Sequence, residues 1–66
     1  MRVVINGDPR EVPSPLTLAG LLHHLGLDPR MVVVEHNRAI VRRGTLADVP
    51  LAEGDVVELV HFVGGG

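Results

Sequence analysis

The sequence predicts an α+β roll in which one short helix packs on one face of a small β-sheet. Three observations carry that expectation. Residues 2–12 hold two β-prone runs about a strong turn signal, residues 18–25 repeat leucine at helical spacing, and residues 32–63 return to β-branched runs. The order is strand, strand, helix, strand, strand, strand, with no internal repeat.

Arg2-Val3-Val4-Ile5-Asn6 reads as the first strand, with Val3 and Ile5 on one face because side chains alternate. Asn6-Gly7-Asp8-Pro9 is a turn, since Asn and Gly tolerate positive φ, and a second strand follows through Arg10-Glu11-Val12. Pro13-Ser14-Pro15 breaks the sheet, and Thr17 is placed to cap a helix through its hydroxyl. Leu18, Leu21, Leu22 and Leu25 then fall at i, i+3, i+4 and i+7, one stripe of a helix whose other side carries Gly20, His23 and His24. Burial of each leucine contributes roughly 1.5–3 kcal/mol, which outweighs the roughly 1 kcal/mol helix penalty of Gly20. Gly26 suits a left-handed C-terminal cap, Leu27 is its hydrophobic contact, and Asp28-Pro29 stops the helix from resuming.

Val32–Glu35 and Ala39–Arg42 are β-branched runs about a turn near His36-Asn37-Arg38, a second hairpin. Residues 43–54 are mostly connection, pinned to the core by Leu46, Val49 and Leu51, and Glu53-Gly54-Asp55 turns the chain into the last strand, Val56 to Val63. Alternation there separates Val56, Glu58, Val60 and Phe62 from Val57, Leu59, His61 and Val63. A lone buried carboxylate is strongly disfavoured, so the Glu58 set is expected to face solvent and Val57 and Leu59 to lie under the helix. Val60 and the sole aromatic residue, Phe62, then form an apolar docking patch beside the chain end.

Composition narrows the function. A chain of 66 residues is one domain, 1–66, that buries only about 60% of its unfolded surface and has no room for an enclosed active site. Cysteine is absent, which removes disulfides, thiolate metal sites and a cysteine nucleophile. A net charge of −2, with basic residues spread along the chain, argues against nucleic acid as a partner. The longest apolar run, Met31 to Val34, is too short for a membrane span and no export signal is recognisable, so a soluble cytoplasmic protein is expected. The four histidines show no metal-ligand spacing, and the terminal glycines precede no helix that could hold a phosphate, so no bound metal or nucleotide is expected.

What remains is the ending, Val63-Gly64-Gly65-Gly66. Chain ends tolerate most residues, so three glycines ask for a reason. Without Cβ, the flexible tail 64–66 can lie against a partner's backbone and pass through a slot too narrow for side chains.

Val4-Ile5-Asn6-Gly7, Thr17-Leu18-Ala19-Gly20-Leu21-Leu22, Val34-Glu35-His36-Asn37 with Ile40-Val41-Arg42, and Gly54-Asp55-Val56-Val57-Glu58 through the diglycine Gly65-Gly66 together resemble one family. It is the ThiS family, the β-grasp, ubiquitin-like sulfur carriers of thiamine biosynthesis. The resemblance spans the chain and implies a mixed sheet of four to five strands, with the last strand parallel to the first and one helix on one face. It implies no catalyst but a protein substrate. An adenylating, E1-like enzyme would use ATP and magnesium to activate the Gly66 carboxylate, and a sulfur donor protein would supply the sulfur that replaces AMP. The Gly66 thiocarboxylate would deliver that sulfur to thiazole synthase. Gly65 and Gly64 would give the tail its access and reach, and Val60, Phe62, Glu58 and Arg42, or Arg43, would dock the partners. Two other readings stay open on the sequence, the small subunit of molybdopterin synthase and a non-covalent ubiquitin-like interaction module.

Overall fold

Asn6 and Gly7 turn the chain with φ of 50° and 84°, two consecutive positive values as a type I′ hairpin requires. In the computed structural model, which describes residues 1–62, they join β1 (Arg2–Ile5) to β2 (Asp8–Glu11). The loop is thus two residues, and Asp8 and Pro9 belong to the strand rather than to the turn expected from their composition. Pro9 is tolerated because β2 is the sheet edge, and because its partner Val4 turns its own N–H the other way, to Asp55 C=O at 2.9 Å.

Thr17 caps the helix as expected, its Oγ1 accepting from Gly20 N–H at 3.1 Å, and α1 runs Leu18–His24. Leu27 N–H bonds Leu22 C=O at 2.8 Å and Gly26 N–H bonds His23 C=O at 3.0 Å, with Gly26 at φ 73°, which is a Schellman ending. Leu18, Leu21 and Leu22 are buried, whereas Leu25, the C-cap residue, is only half-buried against the core. Gly20 is more than a tolerated defect. A Cβ there would come within 2.9 Å of Leu16 Cδ1, so its absence lets Leu16 fold over the first turn.

After a 3₁₀ turn at Pro29–Met31, β3 (Val32–His36) and β4 (Ala39–Val41) form the second hairpin, with Asn37 and Arg38 at φ 47° and 74°. The connection contains a 3₁₀ segment, Arg43–Asp48, that periodicity did not reveal. Leu46 and Leu51 pin it to the core as expected, and Leu18 N–H to Val49 C=O and Leu51 N–H to Leu16 C=O tie it to the start of the helix, both at 2.9 Å.

The last strand, β5 (Val56–His61), is central in the order β2-β1-β5-β3-β4. It pairs parallel with β1 and antiparallel with β3, so the five-stranded sheet is mixed. Val3, Ile5, Val34, Val57 and Leu59 face the helix and its three buried leucines, which forms one core. His61 shares the parity of Val57 and Leu59 but is exposed, at the end of β5 that runs beyond its pairing with β1. The expected final strand residue Val63, with the glycine tail, lies outside the described residues.

Candidate functional site

The register of β5 builds the surface next to the chain end. Val34 lies opposite Leu59 with both side chains in the core, so Val33 opposite Val60 and Glu35 opposite Glu58 must project from the other, helix-free face. Ile40 lies opposite Glu35 and extends that row onto β4. Val56, Val60, Phe62 and Ile40 are 41%, 61%, 51% and 73% exposed, four large apolar residues on one open face. The sequence located Val60, Phe62 and Glu58 on that face. Arg42, one residue beyond β4, falls opposite Val33 if the Val34–Val41 register is continued, and it is exposed. Phe62 is held at the end of the sheet by its N–H, which donates to Met31 C=O at 2.9 Å.

Ile40 and Glu35 of this face escaped the sequence reading. Ile40 could be assigned only once the register was known. Glu35 pairs directly across the strands with Glu58, a like-charge arrangement that costs stability, and neither carboxylate forms an ion pair among the described residues. Period two in β3 would have flagged Glu35 as outward, but not its neighbour.

The start of β5 is fixed by a polar cluster that the sequence also left unread. Asp55 accepts from Ala52 N–H at 2.9 Å, from Asn37 Nδ2 at 3.2 Å and from His36 Nε2 at 2.8 Å. A carboxylate only accepts, so His36 carries its proton on Nε2. Partial burial pushes the Asp55 carboxyl up, but the hydrogen bonds from His36, Ala52 and Asn37 and the nearby His36 together outweigh it and hold the group below its ordinary value. His36 is thus a strand tether. His23 and His24 lie exposed on the last turn of α1, and among the described residues no three His, Asp or Glu side chains are grouped to hold a metal.

The residues expected to carry chemistry and access, Gly66, Gly65 and Gly64, lie outside the described residues. What the structure contributes is the platform they follow, an apolar face with an uncompensated carboxylate pair at its middle. Among the described residues no helix is long and apolar enough to cross a membrane.

The chain matches the model of the ThiS family over residues 3–66. It is 42% identical over 50 residues to the sulfur carrier protein ThiS of Bacillus subtilis, a match covering 76% of each chain. It is 48% identical over 66 residues to the thiazole synthase of Magnetococcus marinus, where the match takes in 100% of this chain and 20% of that protein. A thiazole synthase of Paramagnetospirillum magneticum matches at 44% identity, again over 20% of its length. The crystal structure of the thiamine biosynthesis protein ThiS from Geobacter metallireducens superposes with a TM-score of 0.85 at 32% identity, covering 100% of both chains. The mixed five-stranded sheet with one helix is the β-grasp arrangement of that structure.

Proposed function

The chain belongs to the ThiS family, and from that premise we propose that it is a sulfur carrier for formation of a thiazole ring in thiamine biosynthesis. The observation that carries the reading is that the family match runs through residue 66 and so includes Gly65-Gly66. The Gly66 carboxylate is the reacting group. Attack of its oxygen on the α-phosphorus of ATP releases pyrophosphate and leaves an acyl adenylate, and hydrosulfide from a donor then attacks the acyl carbon, the C–O bond to AMP breaking as the C–S bond of the thiocarboxylate forms. The protein supplies no catalytic group to these steps. An adenylating enzyme with magnesium does the activation, and glycine leaves the carbonyl unhindered.

Thiazole synthase is the acceptor that the relatives support, because a stretch similar to this whole chain makes up 20% of proteins carrying that name. Docking energy must offset the ordering of the tail, roughly 1–2 kcal/mol per residue. Val60 and Phe62 supply apolar area for it, and Glu58 with Glu35 favours a partner that brings a cation to the middle of the face. Arg42 meets an acidic residue at the rim.

Intact-protein mass spectrometry tests the carrier reading. Incubation with ATP, magnesium, the adenylating enzyme and a sulfur donor is expected to add the mass of sulfur replacing one oxygen, localised to Gly66. An unchanged mass overturns it.

A further inference from the structure

Hydrogen bonding along an antiparallel pair alternates between inward and outward residues. On β5, Phe62 N–H bonds Met31 of the β3 side, so Val60 and Glu58 also turn their amides toward β3, and Leu59 and His61 turn theirs toward β1. Strand β1 pairs with β5 only as far as Ile5 and Val57, and the two ends of the Asn6 side-chain amide then take Leu59, N–H at 2.7 Å and C=O at 3.2 Å. His61 comes next. Its N–H and C=O on that side have no partner among the described residues, which leaves an open strand edge in the middle of the sheet.

A groove of about 290 Å³ opens beside this edge, on the helix side of the sheet. Ile5, Leu25, Leu27 and Leu59 give it an apolar floor, and Arg10 and His61 stand at its rim. Arg10 forms no ion pair among the described residues. An unpaired N–H and C=O beside an apolar pocket is matched by extended peptide backbone, whose own amides complete the edge while one side chain enters the pocket. The Arg10 guanidinium selects the charge of the neighbouring side chain.

We propose that the adenylating enzyme adds an extended, apolar and acidic segment as a strand beside His61. It places one aliphatic side chain between Leu25, Leu27 and Leu59 and a carboxylate on Arg10. The identity of that partner rests on the sulfur-carrier reading. Phe62 follows His61 with its side chain on the opposite face of the sheet, so the groove and the exposed apolar face flank the same end of β5.

Amide exchange of His61 and two substitutions test the proposal. In complex with the adenylating enzyme the His61 N–H is expected to become protected, while in the free chain it exchanges as an open amide. His61→Pro removes this donor, which the β3 pairing does not use, together with the imidazole, whose share the alanine variant reads separately, and is expected to weaken binding about tenfold. His61→Ala, which keeps the N–H, is expected to keep the residue-61 amide protected in the complex, and Arg10→Glu weakens binding several-fold. A His61 amide that stays unprotected in the complex overturns the proposal, as does His61→Pro binding at full strength with Phe62 N–H still protected. Should His61→Pro fail to fold, the wild-type exchange result decides. Sulfur gain by the wild type is read in the same preparation, so a failed carrier reading is seen separately. In that case a capped peptide alternating leucine and glutamate replaces the enzyme: protection of His61 supports the proposal, and none at millimolar peptide overturns it.

Discussion

Asn6 brackets Leu59 with both ends of its side-chain amide, Oδ1 accepting from Leu59 N–H at 2.7 Å and Nδ2 donating to Leu59 C=O at 3.2 Å. The amide stands in for one more residue of β1 at the point where the backbone must turn away, at φ 50°. Two demands therefore meet at Asn6, a left-handed conformation and a donor–acceptor pair. Asn6→Gly keeps the first and loses the second, and is expected to cost about 1–3 kcal/mol for the lost bonds and the orphaned Leu59 N–H. Asn6→Ala loses both and should cost about 1 kcal/mol more. Urea unfolding of the three proteins checks the order, and equal midpoints for wild type and Asn6→Gly would remove the bracket from the account.

That pairing marks where sequence reasoning stopped. Asn6-Gly7 was legible as a turn, because a single residue's tolerance of positive φ is local information. The leucine stripe, the Thr17 cap, the Gly26 ending and the alternation of β5 were legible for the same reason, each being set within a few residues. Asn6 with Leu59, Asp55 with His36 and Glu35 with Glu58 join residues far apart in the chain, so register had to be known first. The length of the hairpin loop was also missed. Asp8-Pro9 has turn composition, yet an edge strand leaves the proline nitrogen facing outward at no cost. Val60, Glu58 and Phe62 were placed correctly on the solvent face from one carboxylate's aversion to burial. Ile40 was not, because β4 contributes only three residues and its face is fixed by β3.

The second hairpin turn offers a contrast within two residues. Asn37 and Arg38 both have positive φ, 47° and 74°, but only Asn37 uses its side chain, accepting from Val56 N–H at 2.9 Å and donating to Asp55 at 3.2 Å. Arg38 is exposed, and its side chain makes no hydrogen bond among the described residues that offsets its conformation. Glycine at 38 relieves roughly 1–2 kcal/mol of left-handed strain and gives back about 0.5–1 kcal/mol as unfolded-state entropy. Arg38→Gly is therefore expected to stabilise by about 0.5 kcal/mol, and Asn37→Gly to destabilise by about 1–2 kcal/mol. Thermal unfolding reads both signs, and a shift in the same direction for the two variants would contradict the assignment.

Asp55 makes the stability of this fold depend on acid. Its carboxylate collects hydrogen bonds from Ala52, Asn37 and His36, which hold its folded value below the ordinary one. A carboxyl depressed on folding stabilises the native state fully above its unfolded value of about 3.9, and that contribution is lost as pH falls through the lower folded value. The wild type is therefore expected to lose stability below about pH 4. Asp55→Asn keeps one acceptor but presents an amide N–H₂ to the remaining donors, so it should be less stable at neutral pH by about 1–3 kcal/mol. The carboxylate contribution is absent in the variant, so the difference between the two proteins should shrink as the pH is lowered. Urea midpoints measured from pH 7 downward follow this convergence. A gap that stayed constant to the acid limit would mean that Asp55 acts through shape alone, and the cluster that launches β5 would then owe nothing to its charge.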